Sequence, residues 1–450
     1  MNIVIVGGGL VGSTLAARLS RVGHDVTLVE GDHARARVLM EQLDVRVLEG
    51  NGATAGVLRD AAGDRADLLV ASTNSDEANL VVGMLARAAL SVERVVLRLR
   101  EPGHAETFEI LRRSHGGEMV AVNPEGAAVD RILSLLEVPG AADVVSFLEG
   151  RLVVAGFRIG PESDLAGLPV SNVSLLFPVA TLVVAIQRLD RWIIPHAEDE
   201  ILAGDLVYLA IARAEMENVL TLFGGAPRGG RQRVMVAGAH RIGLEVARRL
   251  GASGRAVVLV EESGELARRA EGVLERVLVI RGAVTDQAVL EEENIAGVET
   301  FVALTPDHET NLVSSLLAKK LGARRAFAMV DNPALVNLIG AVGIDAVISP
   351  RLLAVGLAMQ QIGRGRIHAV APLLEDKIEA IEAEAEAGSR LTAGTLSQVK
   401  LPRGVVVAAR CRAGALIVPR GGDRIEPGDL VLVITTTETA ARLDEYLAGR

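Results

Sequence analysis

A chain that carries one sequence pattern twice, 231 residues apart, is constrained to fold as duplicated domains, because each copy must bury its own apolar face. Residues 3–30 and 234–261 agree in apolar pattern and in punctuation: Gly7 answers to Gly238, Gly12 to Gly243 and Glu30 to Glu261. Farther on, with one residue inserted, Asn79 in SDEANL answers to Asn311 in DHETNL. A second match, at an offset of 224, joins PHAEDEILAGDLVYL to PRGGDRIEPGDLVLV and pairs Gly204-Asp205 with Gly428-Asp429. The order of units is therefore A, B, A′, B′. Each has the length of a domain, about 85 to 140 residues, rather than that of a solenoid turn.

Unit A alternates apolar runs (NIVIV, DVTLVE, VRVLE, DLLVAS, RVVLRL, EMVAV) with stretches of helical length, and unit A′ repeats this from RVMVAG to AVIS. Such alternation predicts an α/β fold: two Rossmann-like, doubly wound parallel sheets with helices on both faces. Their ligands belong outside the carboxyl ends of the strands. Units B and B′ are small and strand-rich, and each closes with a Gly-Asp turn before an apolar strand. PEGAAVDRILSLLEV and PRLLAVGLAMQQIG, each opening on proline, predict connecting helices that pack outward against a neighbour or a second copy. The boundaries that follow are 1–123 for A, 124–140 for its helix, 141–225 for B, 231–349 for A′, 350–365 for its helix and 366–450 for B′. The stretch IEAIEAEAEAG at 378–388 reads as helix on propensity. The repeat sets it against the strand RLVVAGFRIG, so a strand is expected, with Glu382, Glu384 and Glu386 on a solvated sheet edge.

Composition sharpens this. Aromatic residues make up only 2% against 50% hydrophobic, so the cores must be aliphatic, which suits buried parallel strands. A formal charge of -10 repels phosphate backbones and argues against nucleic acid as a partner. The single cysteine, Cys411, excludes an intrachain disulfide and reads as a small packed hydrophobe. The longest apolar run, LLFPVATLVVAI, is too short to span a bilayer and is broken by Pro178. The opening MNIVIV starts as a strand with no basic n-region, so no signal peptide is expected.

The chemistry sits in Gly7-Gly8-Gly9-Leu10-Val11-Gly12, a G-x-G-x-x-G that follows a strand and opens a helix. Gly7 permits a tight turn, Gly9 lets the backbone approach a pyrophosphate, and Gly12 lets helix and strand lie close. The helix N-terminus supplies unpaired N–H groups and a positive dipole. Glu30, at the end of the second strand, can accept from both ribose hydroxyls and would repel a 2′-phosphate, which favours NAD or another adenine nucleotide over NADP. Ser72-Thr73-Asn74 should line the same crevice, with Asp76 placed to cap the next helix. Arg98 can reach a phosphate or pair with Glu101. Asn79 faces the loops, either ordering the binding loop or bonding a backbone group. In the second copy, Gly238-Ala239-His240-Arg241-Ile242-Gly243, a side chain stands at His240 where close approach calls for glycine. Glu261 and Asp286 persist, so a different or smaller ligand, weak binding or an empty site all stay open there.

No HExxH, nucleophile-elbow serine or Walker-type loop occurs, so metalloprotease, hydrolase and P-loop ATPase readings lack their working parts. His104 with Glu106 and His115 with Glu118 have loose metal-like spacing but read as surface polar residues; no metal site and no catalytic residue is expected. A dehydrogenase joins one dinucleotide domain to a substrate domain, whereas this chain duplicates the nucleotide domain and adds modules without acid-base groupings. Binding without turnover is the simpler reading.

MNIVIVGGGLVGSTLA, Glu30, LEGNGATAGVL, ASTNSDEANLV, LTPDHETNLVSSLLAKKLGA and the two Gly-Asp turns, in this order, resemble the TrkA family over essentially the whole chain. These are the peripheral cytoplasmic subunits of bacterial and archaeal Trk potassium uptake systems. The resemblance implies two RCK (regulator of potassium conductance) nucleotide domains, each followed by a TrkA-C-type module. It further implies a homo-oligomeric gating ring, dimer or tetramer, that touches the membrane only through a TrkH- or TrkG-like potassium-translocating subunit. NAD(H) is the implied ligand, with ATP or ADP besides. Carried over by position, Gly7, Gly9, Gly12 and Glu30, with Thr73, Asn74 and Arg98 on the rim, match the first site, and Gly238, Gly243 and Glu261 match the second. Asn51 stands where the family commonly has aspartate, and His240 replaces glycine. An NAD-dependent oxidoreductase with an unrecognised active site, and an RCK regulator of a different cation channel or transporter, remain the alternatives.

Overall fold

Runs such as NIVIV and RVMVA are apolar at every position because their strands are covered on both faces. The computed structural model describes residues 1–63, 65–115, 118–177, 181–189, 191–222, 232–332, 335, 343–361, 367–373, 378–440 and 443–447. Strands β1 (Asn2–Val6), β2 (Asp25–Glu30), β3 (Arg46–Glu49), β4 (Leu68–Ala71), β5 (Arg94–Arg98) and β6 (Glu118–Val122) form a parallel sheet in the order β3-β2-β1-β4-β5-β6. The order reverses between β1 and β4, where Ile3 pairs with both Val26 and Leu68. That switch point is where a doubly wound sheet opens a crevice.

The strands of the first small module follow: β7 (Ala141–Phe147), β8 (Leu152–Arg158), β9 (Thr181–Arg188), β10 (Arg191–Ile193) and β11 (Leu206–Ala212) form an antiparallel sheet, β10-β9-β11-β8-β7. The second parallel sheet, β12 (Arg233–Ala237), β13 (Ala256–Glu261), β14 (Val277–Arg281), β15 (Thr300–Ala303), β16 (Arg325–Met329) and β17 (Ala346–Ile348), has the order β14-β13-β12-β15-β16-β17. The last sheet, β18 (Ile367–Leu373), β19 (Ile378–Glu384), β20 (Val405–Arg412), β21 (Ala415–Ile417) and β22 (Leu430–Thr436), runs β18-β19-β22-β20-β21. Each second-half order is its first-half counterpart element for element.

By contacts the chain divides into Met1–Ala127 with Pro350–Arg364, and Ala128–Ser349 with Gly365–Arg450. In the first unit the connecting helix Pro350–Gln360 does not face outward. Its Ala354, Val355 and Ala358 share one core with Val11, Leu15 and Leu19 of the helix Leu10–Arg21, and Arg94 Nη1 donates to the Gln361 carbonyl (3.4 Å). The expected outward packing is thus replaced by a contact inside the chain. In the second unit the two antiparallel sheets share a core containing Leu152, Val154, Tyr208, Ile378, Ala380, Leu432 and Ile434. The boundary expected at 225–231 and the end of the second connecting helix beyond 361 lie outside the described residues.

The Gly-Asp turns have a clear cause. Gly204 (φ +92°) and Gly428 (φ +87°) adopt the left-handed conformation, and Asp205 and Asp429 behind them are buried at 1% exposure. Each carboxylate accepts from an arginine two strands back, Arg188 to Asp205 at 2.8 and 2.9 Å and Arg412 to Asp429 at 2.7 and 2.8 Å, and from a turn N–H, that of Leu202 or Glu426. Residues 378–384 are a strand, against their helical propensity, because β19 pairs on both sides. The expected acidic edge is therefore corrected: β19 is interior, its glutamates are half-buried, and Glu382 accepts the Leu148 N–H (3.1 Å). Cys411 is buried, with Arg151 Nη1 3.1 Å from its sulfur.

Candidate functional site

The first crevice is built by glycines whose roles differ. Gly7 has φ +102°, and a Cβ there would stand 2.9 Å from the Thr73 amide nitrogen. A Cβ on Gly12 would stand 1.9 Å from the Gly7 carbonyl oxygen, so the helix Leu10–Arg21 lies against the turn only while position 12 is bare. Gly9 differs: it is the N-cap, at φ -66° and ψ -173°, and a Cβ there would meet nothing within 4 Å. Its open side faces away from the protein. The first helical bond runs from the Ser13 N–H to the Gly9 carbonyl (2.9 Å), which leaves the Leu10, Val11 and Gly12 N–H groups without an intrahelical acceptor. Val11 is buried in the core and Leu10 is 63% exposed, so what this turn offers an anion is backbone.

Glu30 ends β2 and is buried. Its Oε2 accepts the Gly8 N–H and its Oε1 the Asp32 N–H, both at 2.8 Å. The carboxylate therefore ties the glycine turn to the loop after β2, and each oxygen keeps one lone pair for a further donor. Beside it, His33 Nδ1 and Glu49 Oε2 lie 2.7 Å apart at the mouth. Asn51 accepts the Ala53 N–H through Oδ1 (2.9 Å), a turn that an amide serves as well as a carboxylate.

Across the switch point, Asn79 is fully buried. Its Oδ1 accepts from the Thr73 N–H (3.0 Å) and hydroxyl (2.8 Å), while its Nδ2 donates to the Arg98 carbonyl (2.8 Å). One amide side chain thus fixes the ends of β4 and β5. Asp76 does not cap the helix Asp76–Leu90; Ser75 does, accepting the Ala78 N–H (3.1 Å). Asp76 instead accepts the Arg100 and Glu101 N–H groups, each at 2.8 Å. Burial raises this carboxyl, but those two N–H groups and the Arg100 guanidinium outweigh it and hold it below the ordinary value. Arg100 also donates to the Asn74 carbonyl, which puts an arginine on this rim. Sequence reading missed Arg100 because an S-x-x-A start hides whether Ser75 or Asp76 is the cap.

The second crevice repeats this frame. Gly238 has φ +102°, and a Cβ on Gly243 would stand 2.0 Å from the Gly238 oxygen. Glu261 accepts the Ala239 N–H (2.6 Å) and the Ser263 N–H (2.8 Å). Asn311 binds the Thr305 N–H (2.9 Å) and the Met329 carbonyl (2.9 Å). His240 takes the backbone conformation of Gly9, φ -73° and ψ 176°, so its side chain extends from the position that is open in the first crevice. Ala239 and Ile242 are buried, and Arg241 is exposed at the first helical position. Asp286 is spent as a helix cap, accepting the Ala288 N–H (2.9 Å). Where the first copy has Asp76 and Arg100, the second has His308 and Asp331, and Asp331 accepts the Ser349 hydroxyl (2.6 Å). Among the described residues no three His, Cys, Asp or Glu side chains gather as a metal site, and no helix is long and apolar enough to cross a membrane.

The TrkA-N domain family matches residues 3–115 and again 234–350, and the TrkA-C domain family matches 381–448. Trk system potassium uptake protein TrkA of Azorhizobium caulinodans is 32% identical over 450 residues, covering 99% of this chain and 98% of the relative. The protein of the same name from Halomonas elongata is 32% identical over 451 residues, again 99% and 98%. Among solved structures, the GsuK channel bound to NAD has a TM-score of 0.62 at 18% identity, covering 100% of this chain and 79% of the channel. GsuK bound to ADP has a TM-score of 0.50 at 16% identity, covering 80% and 68%.

Proposed function

The chain belongs to the family of Trk system potassium uptake proteins TrkA, and from that premise we propose that it is a nucleotide-sensing regulatory subunit of potassium uptake. The observation that carries the reading is the turn at Gly9: an unobstructed helix N-terminus at the topological switch point, with a buried glutamate behind it. The ligand of the first crevice is NAD(H), with ATP or ADP as competitors that share the adenosine. Their phosphates lie on the N–H groups of residues 9–12, within reach of Arg98 and Arg100. Glu30 offers its remaining lone pairs to the ribose. Thr73 and Asn74 complete the rim. The second crevice, from Gly238 to Gly243 with Glu261, takes a nucleotide more weakly because of His240.

The relatives named for Trk potassium uptake support a membrane-embedded partner of TrkH or TrkG type, with this chain as a homo-oligomer on its cytoplasmic face. The nucleotide acts as an effector and is not consumed. Different affinity for two arrangements of the domains shifts their balance. Moving that balance from 1:99 to 99:1 needs about 5.5 kcal/mol, which several sites in an oligomer supply jointly. The domains divide as 1–123, 141–225, 231–349 and 366–450, with the connecting helices between.

The test is calorimetric titration of NAD, NADH, ATP and ADP into the full chain and into Gly9→Val. Binding at the first crevice should be lost in the variant; unchanged affinity would remove the crevice from the reading. Sustained hydride transfer from NADH across a substrate panel would replace regulation with an oxidoreductase activity. Failure to co-purify with a TrkH-like subunit, alongside capture of another transporter, would reassign the partner.

A further inference from the structure

In the second unit, Arg325 is 8% exposed and its guanidinium hydrogen-bonds backbone carbonyls, not a carboxylate. It sits at the start of β16, donates to the carbonyls of Leu135 (3.3 Å) and Ala141 (2.7 Å), and lies 4.7 Å from the centre of the Phe327 ring. Leu135 is in the last turn of the helix that leaves the first α/β domain, and Ala141 is the first residue of β7. One buried cation of the second nucleotide domain thus grips the entry to the first small lobe. Desolvation pushes its pKa down to about 10, against the opposing pull of Asp345 and Glu299. A leucine or methionine would fill such a site at less cost, so the charge is retained for what it holds.

The same helix is gripped at two more points. Arg249 Nη1 meets Asp130 Oδ1 at 2.7 Å, and Arg255 Nη2 reaches the Leu136 carbonyl at 3.5 Å. Arg249 lies in the last turn of the helix Arg241–Ala252, whose other end is the His240 N-cap of the second crevice. From Arg241 to Arg249, at about 1.5 Å per residue, the helix is a rod of about 12 Å between the crevice and this grip. Glu245 braces the rod: Arg248 first and Arg249 next hold its carboxyl down to about 2 against burial.

We infer that Arg325 is a positioning residue that transmits the state of the second crevice to the first small lobe, so that signals cross between the two halves of the chain. The inference rests on the reading of the second crevice as a nucleotide site. A nucleotide at residues 238–243 shifts the helix Arg241–Ala252 end-on. The shift passes through the Arg249–Asp130 pair to the helix Pro124–Glu137, and Arg325, which bonds both Leu135 at the end of that helix and Ala141 at the start of β7, makes β7 follow it. Without Arg325 the helix Arg241–Ala252 still shifts, but β7 is no longer held to the end of the helix Pro124–Glu137. The counterpart, Arg94, makes the matching bond to Gln361 in the first unit at 3.4 Å, where apolar packing holds the helix instead.

The test uses the full chain carrying Gly9→Val, which confines binding to the second crevice, with NADH and ADP as probes. Hydrogen exchange is followed in residues 141–158 and 241–252, with and without nucleotide. With Arg325 intact, both segments should respond. In Arg325→Met, affinity should stay within about threefold while the response of 141–158 falls at least about fivefold and that of 241–252 persists. Arg325→Lys, whose compact ammonium lacks the planar fork that spans the two carbonyls, serves if Arg325→Met fails to fold, with the same pattern at smaller size. A full response of 141–158 in either folded variant overturns the latch alone. No binding by the Gly9→Val chain overturns the second-crevice reading together with it.

Discussion

The side-chain oxygen of Asn79 accepts the backbone N–H of Thr73 at 3.0 Å, and the same bond recurs between Asn311 and Thr305 at 2.9 Å. In both halves the asparagine also donates to the strand on the far side, at the Arg98 or the Met329 carbonyl. An aspartate could accept but not donate, and a leucine could do neither, so only an amide serves both strands. Asn79→Leu leaves the Thr73 N–H and the Arg98 carbonyl unpaired in a largely dry site. It should cost about 2–3 kcal/mol in urea unfolding and weaken nucleotide binding at the first crevice. Asn311→Leu should cost a similar amount without touching that binding; an effect of both variants on the first crevice would mean the two frames are not independent.

Gly9 and Gly12 separate binding from folding. Gly12→Ala drives a methyl to 1.9 Å from the Gly7 oxygen and should lower stability by about 2–3 kcal/mol. Gly9→Ala meets no protein atom and keeps an ordinary φ, so its stability should change little, within about 0.5 kcal/mol, while affinity falls. A Gly9→Ala protein that unfolds early would assign the glycine to packing instead.

Much of this was legible in the chain because duplication supplies its own control. The glycine turns, Glu30 with Glu261 and Asn79 with Asn311 occur twice with the same spacing, and the pairing also overrode helical propensity at 378–384. What stayed hidden was the identity of partners. Apolar spacing in 350–360 demands burial but does not say that the helix Leu10–Arg21 provides it. Likewise the acidity of Glu382 suggested an edge, while its neighbours on both sides are set by strand order, which local sequence does not encode. Asp76 looks like a cap because caps are local; its acceptor role toward residues 100 and 101 is not.

His240 offers a gain-of-function test. Its backbone already matches Gly9, so His240→Gly removes the imidazole from the mouth of the second crevice without asking the turn to change. Calorimetry on Gly9→Val/His240→Gly should show nucleotide affinity at least about tenfold higher than on Gly9→Val alone, about 1.4 kcal/mol. Lower affinity would mean that the imidazole is itself a ligand to the phosphates.

The Arg412–Asp429 pair carries the pH dependence. Burial raises the Asp429 carboxyl, but its bonds from Arg412 and the Glu426 N–H outweigh this and leave it below the ordinary carboxylate value. A depressed folded-state value means that the group stabilises the fold above the unfolded carboxylate range, near pH 4, and that this contribution fades as pH falls through the folded value. Arg412→Met leaves a carboxylate at 1% exposure with only backbone donors among its close contacts, so stability should be lost near pH 7. Because Asp429 then gains from protonation, the deficit should shrink as pH is lowered toward 4. Thermal midpoints of both proteins between pH 4 and 8 decide it: curves that converge toward acid agree with a carboxylate held by its arginine, and parallel curves reject it.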